Sequence, residues 1–170
     1  MKKLHYIVAV TFVCLISSCS TEAVDAEDSV VVTTGTDDID TIDTSANAVS
    51  VETQIMNLIN EHRTSLGMNT LSFDTVAYNF ATAHTDYMIS QGETSHDNFQ
   101  KRASSMSQKV NASAVAENVA SRYDTASEAV ENWLASSEHR DAIEGNYTHT
   151  AVSVKEDQNG DFYFTQLFYR

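Results

Sequence analysis

The chain has 170 residues, no proline and two cysteines, and sets 24 acidic against 10 basic side chains for a formal net charge of −14. That length fits one domain. The charge argues against a nucleic-acid-binding surface and against electrostatic adhesion to anionic lipid, because both require a basic face.

Met1-Lys2-Lys3 precedes an apolar stretch from Tyr6 to Ile16, followed by Ser17-Ser18-Cys19. A basic start, a short apolar run and small residues make a secretory signal, too short to remain as a spanning helix. Ile16-Ser17-Ser18-Cys19 is similar to a bacterial lipobox, which implies a lipoprotein signal peptide over residues 1–18 and acylation of Cys19. Cys14 lies within that signal, so the exported domain is expected to fold without a disulfide. Ser20 to Ser50 holds eight acidic residues, no lysine or arginine, and no aromatic. Such a segment buries too little apolar surface to offset ordering, and residues 19–50 read as a disordered acidic tether. Attachment to a membrane would come from the acyl anchor. The folded domain is expected over residues 51–170.

A first helix runs from about Val51 to Leu66, with Ile55, Leu58, Ile59, His62 and Leu66 on one face and Gly67 just beyond. Asp74 caps a second, whose stripe is Val76, Ala77, Phe80, Ala81, His84, Tyr87 and Met88, and Gly92 ends it. Val115 to Ala120 suits a strand. Thr125 and Glu128 have capping-box spacing, and the third helix they open turns Ala129, Val130, Trp133 and Leu134 inward. It runs on into Ser136-Ser137-Glu138-His139-Arg140. Thr150 to Lys155 and Phe162 to Tyr169 flank Asn159-Gly160, a strong hairpin signal. Helices come first and an antiparallel sheet later, so the class is α+β.

Of six histidines, His5 belongs to the signal, and His62 and His84 sit on apolar helix faces as core residues would. His149 opens a strand with no partner evident in sequence. His96 lies in a polar loop after a helix, where packing does not call for it. Glu117 interrupts Val115-Ala116 and Val119-Ala120, so it is either turned outward or buried with a partner. Imidazole and carboxylate together suit zinc or acid–base chemistry, although no local metal motif such as H-E-x-x-H is present. Ser136 and His139 stand at i, i+3. With Glu117 as a third member they make a nucleophile–base reading, without a nucleophile elbow.

Six pieces occur in one order: Asn60-Glu61-His62-Arg63, Leu71-Ser72-Phe73-Asp74, Ser95-His96, Glu117-Asn118-Val119-Ala120, Trp133 to Arg140, and Phe164-Thr165-Gln166-Leu167-Phe168. Together they resemble the CAP superfamily (cysteine-rich secretory proteins, antigen 5, pathogenesis-related 1) in its short bacterial form, over about Glu52 to Arg170. The resemblance implies a three-layer α–β–α sandwich with a central antiparallel sheet. It also implies a surface cavity lined by a His–Glu–Glu–His tetrad that can hold a divalent metal, often zinc. His96, Glu117 and His139 match three tetrad positions, and Ser136 stands where the second glutamate would be. Ala116 and Glu138 replace the glycines before Glu117 and His139. A His–Glu–His candidate zinc site results, with water or Glu138 to complete it. Three functions stay open: a binding module for a hydrophobic or cell-envelope ligand, a peptidase or esterase using the same cavity, and a non-catalytic protein-interaction domain.

Overall fold

A computed structural model describes residues 44–170, with side chains described from Val51 onward. The segment read as a signal peptide, Cys19 and most of the segment read as a tether lie outside the described residues. The elements in chain order are α1 (Thr44–Ser65), β1 (Ser72–Phe73), α2 (Thr75–Gln91), α3 (Phe99–Val110), β2 (Val115–Ser121), α4 (Ala126–Ala135), α5 (Ser137–Ile143), β3 (His149–Glu156) and β4 (Phe162–Tyr169). No helix among the described residues is long and apolar enough to cross a membrane.

Helix α1 begins earlier than its apolar period, inside the segment read as tether. Residues 44–50 contain neither glycine nor proline, so the ladder set by the packed residues propagates backwards without a new nucleus. At its other end the buried face is shifted by one residue. Arg63 is fully buried, Leu66 is 53% exposed, and His62 is half-buried against Glu144 at 2.9 Å. Arg63 wins the interior because its fork has carbonyls to meet there. Nε donates to Asn69 O at 2.9 Å, Nη1 to Ile143 O at 2.6 Å and Gly145 O at 2.9 Å, and Nη2 to Tyr147 O at 3.4 Å.

Asp74 caps α2 through Ala77 N at 2.8 Å, and Gly92 closes it at φ 73° with its N–H on Met88 O. Thr125 caps α4 by accepting from Glu128 N at 3.1 Å, and the Glu128 carboxylate reaches back to Asp124 N at 3.0 Å. That helix stops at Ala135. Ser136 is extended at φ −85°, ψ 127°, and the following stretch is a separate helix, α5. Helix α3 is an addition to the sequence reading. Phe99, Ala103, Met106 and Val110 carry its period, but only Met106 is fully buried and polar residues fill the rest.

The four strands lie in the order β1-β3-β4-β2. β3–β4 and β4–β2 are antiparallel, and the two-residue β1 runs parallel to β3, so the sheet is mixed at that edge. Both faces are covered. Val152, Val154, Phe164 and Phe168 pack with Ile55, Ile59 and Trp133 of α1 and α4. Ala151, Leu167 and Tyr169 pack with Ala77, Ala81 and Met106 of α2 and α3. The period-two alternation of a strand therefore sorts β2 as well, with Ala120 in the first layer and Val119 beside Met88 of α2. A three-layer α–β–α sandwich results.

Candidate functional site

Glu117 falls on the α2/α3 side of β2, opposite Leu167 in the register. Its side chain is 1% exposed, so its charge needs partners close by. Arg102, in the first turn of α3, supplies a bidentate fork: Nε donates to Oε2 at 2.6 Å and Nη2 to Oε1 at 2.7 Å. His96 Nδ1 donates to Oε1 at 2.9 Å, with 53% of its side chain exposed. The backbone of the intervening loop is arranged for this. Asn98 sits at φ 60°, Phe99 N–H donates to His96 O at 3.0 Å, and Arg102 Nη1 holds Asp97 O at 3.0 Å. Asparagine tolerates that left-handed conformation better than most residues.

His84 joins the network from α2. Its Nε2 donates to Ser95 O at 2.7 Å and lies 3.9 Å from Glu117 Oε1. The sequence reading of His84 as a satisfied core histidine describes its bond but misses its neighbours. Burial pushes its pKa down more than the Ser95 carbonyl and Glu117 raise it. Burial likewise pushes His139 down, and the charge of His96 adds to the effect. His139 is tied to β2, because Asn118 Nδ2 donates to His139 O at 3.0 Å.

The sequence-derived candidates separate into groups. His96 and Glu117 are hydrogen-bonded, and His139 lies on α5, held to β2 through its backbone carbonyl. Glu117 orients His96, not His139, and bonds one histidine and one arginine. Ser136 sits at the α4/α5 junction with no side-chain cap bond, outside the helix that carries His139. Ser136 is the N-cap residue of that helix, and no hydrogen bond among the described residues joins its hydroxyl to the His139 ring. Arg140 serves a helix end, with Nη1 on Leu134 O at 2.8 Å. Arg102 escaped the sequence reading because α3 did. The signal that would have located it was the Phe99/Ala103/Met106/Val110 period.

A cleft of about 400 Å³ opens beside this cluster, walled by Phe99, Ala116 and Tyr147 and carrying His96, Glu117 and Glu138. For a divalent ion, His96 and His139 each have a ring nitrogen to offer, but both oxygens of Glu117 are already engaged. Ser136 brings no carboxylate, and among the described residues no group of three or more His, Cys, Asp or Glu side chains converges to hold a metal. As folded, this donor set falls short of the three or four protein ligands that zinc takes.

Layers of helix on both sheet faces, with an ionic network on one strand opening to a cleft, define an α–β–α domain of the SCP type. Residues 56–168 match the family model of the Cysteine-rich secretory protein family, CAP, and the chain belongs to that family. No curated protein matches it. An extracellular protein containing an SCP domain from Bacillus anthracis is 23% identical with a TM-score of 0.67, over 79% of this chain and 45% of that one. An outer surface protein of Borrelia burgdorferi is 19% identical with a TM-score of 0.62, over 78% of this chain and 96% of that one. A cysteine-rich secretory protein of Staphylococcus aureus is 17% identical with a TM-score of 0.56, over 76% and 40%. The chain thus spans less than half the length of the Bacillus and Staphylococcus proteins.

Proposed function

We propose that this CAP domain is an exported binding module, tethered to a membrane through acylated Cys19, whose cleft takes a small amphiphilic ligand. The lipobox-like Ile16-Ser17-Ser18-Cys19 supports the anchor, and the extracellular and outer-surface descriptions of two similar structures support export. The observation that carries the reading is the cleft itself. Phe99, Ala116 and Tyr147 offer an apolar wall, while Glu138 and Asp141 place carboxylates along it. That combination suits an apolar body with a cationic or hydrogen-bond-donating head, and the volume is in the range of small-ligand sites. Hydrolysis has less support: a base needs a nucleophile within hydrogen-bond reach, and no described serine or threonine hydroxyl bonds to the ring of His96 or His139.

The test is to purify the chain without chelators, extract it, and identify co-purified small molecules by mass spectrometry, alongside titration with a fluorescent alkylamine. The wild type should retain and bind such amphiphiles, and exposed Glu138→Lys should lose them while melting normally. Absence of any bound amphiphile together with no alkylamine binding would overturn the reading. Cleavage of an ester or peptide panel that is lost in His139→Ala would replace it with the hydrolase.

A further inference from the structure

Phe73 and Leu66 are the large apolar side chains left exposed among the described residues, and Phe73 differs in bordering a cavity. Its place follows from the chain. Phe73 precedes the Asp74 cap of α2, and Tyr78 lies four residues beyond that cap, the two positions whose side chains staple a helix start. The rings meet at 5.8 Å between centroids and 50° between planes. A staple accounts for the pair but not for what lies beside it. Glu52 and Met56, one turn apart on α1, and Val152 of β3 enclose a cavity of about 290 Å³ with both rings. Glu52 is half-buried there, its Oε1 accepting from Val154 N at 2.8 Å and from the Tyr78 hydroxyl at 3.2 Å. No lysine, arginine or histidine among the described residues forms an ion pair with it, and Lys155, next to Val154, is bonded to Asp86 at 2.6 Å. Burial raises the Glu52 pKa more than its two bonds and the Lys155 charge lower it.

We infer that this cavity is a second ligand site, separate from the cleft at Glu117, and that it takes a methylated ammonium group. Two aromatic rings and a carboxylate around one small space are the elements that attract such a cation, through ring quadrupoles and through charge. The Tyr78 hydroxyl donates to Glu52, which makes that ring more electron-rich and its face a better partner for a cation. Capping Val154 N needs only an acceptor, and a neutral glutamine would supply one, so the charge exceeds what the sheet edge requires. Methylation is favoured over a bare ammonium by the same bonds. Oε1 already takes two donors and the other walls are apolar, so three N–H groups would lose their water with few acceptors in exchange. A trimethylammonium carries its charge behind methyl groups and has no donor to satisfy, and Met56 offers those methyls a polarizable contact. The volume lies at the small end of ligand sites, which suits a solute or a head group better than a whole lipid.

Titration of the full chain with choline, followed by ligand-observed proton NMR, tests this, with 3,3-dimethylbutan-1-ol as the uncharged isostere. Choline should bind saturably at a single site, and the isostere roughly tenfold or more weakly, since it keeps the shape and loses the charge. Glu52→Gln retains an acceptor for Val154 N and should weaken choline by roughly tenfold. Phe73→Ala, at an exposed position, should melt close to wild type and weaken choline to a similar extent, whereas Phe73→Trp should bind at least as well as wild type. Glu138→Lys should leave choline binding intact, so this site and the amphiphile cleft can fail separately. Competition by phosphatidylcholine vesicles but not by phosphatidylglycerol vesicles would assign the group to a lipid head, and competition by neither would assign it to a free solute; both results support a methylated-ammonium site. No saturable binding by the wild type at millimolar choline would overturn the inference. So would equal binding of choline and its isostere, or affinity unchanged in a folded Phe73→Ala.

Discussion

Replacing Arg63 by methionine removes the guanidinium fork while keeping most of the apolar stem. Four carbonyls lose a donor: Asn69 O, Ile143 O, Gly145 O and Tyr147 O. They are not equivalent. Gly145 O retains the Tyr147 N–H at 2.9 Å, and Tyr147 O retains the Asn69 amide at 3.1 Å. Asn69 is exposed, so water can reach its carbonyl. Ile143 O, on a fully buried residue at the end of α5, is left without its 2.6 Å partner. Three short charge-assisted bonds at roughly 1.5 kcal/mol each, plus one orphaned acceptor, set an upper figure of about 6 kcal/mol. Removing a buried cation that has no carboxylate beside it offsets about half of this, leaving a net loss of about 3 kcal/mol. With a urea slope of about 2 kcal/mol/M, the midpoint should fall by about 1.5 M, read from the fluorescence of buried Trp133. Arg63→Lys should recover only part, since a point charge cannot span the fork. Because Ile143 ends the helix that carries His139, amide exchange in α5 should accelerate as well. A loss under about 1 kcal/mol, or a lysine variant equal to wild type, would refute the clamp.

Three further outcomes are expected. Thr125→Ala should cost about 1 kcal/mol in chemical denaturation, because it removes the α4 cap on Glu128 N. Lowered pKa values at His84 and His139 mean that the unfolded chain binds more protons just below its own histidine pKa. Stability should therefore hold above about pH 6.5 and decline as pH falls through that value, with a shallower decline in His84→Gln; a slope unchanged by that substitution would reject the role of His84. Ser136→Ala should stay within about 0.5 kcal/mol of wild type and retain ligand and any hydrolytic turnover, since its hydroxyl caps neither helix. Loss of turnover in that variant with folding intact would restore Ser136 as a nucleophile.

Residues whose effect is local were readable from sequence. Asp74, Gly92, Thr125 and the Asn159-Gly160 turn act through their own backbone neighbourhood, and each stands where its chemistry placed it. The β2 run around Glu117 was readable as well, with its carboxylate either turned outward or buried with a partner. Which partner was not readable. His96 and Arg102 come from a loop and a helix whose apolar period is thin, and His84 arrives from a third element. The residue that fills the end of α1 was misjudged for a similar reason. Periodicity favoured His62 and Leu66, but Arg63 meets carbonyls from a loop about eighty residues later.

The sequence by itself determined the α+β class, the element boundaries marked by caps and glycines, and the CAP membership carried by six ordered pieces. It also placed His96, Glu117 and His139 among the residues to examine. Only the tertiary structure decided how the charge on Glu117 is balanced. Caps and periods are set within a few residues, where backbone geometry enforces them. A buried ion pair depends on which side chains the packed layers bring within about 3 Å of each other, and spacing in the chain does not specify that. At this site the layers brought Arg102, and that one cation determines what the carboxylate is free to do.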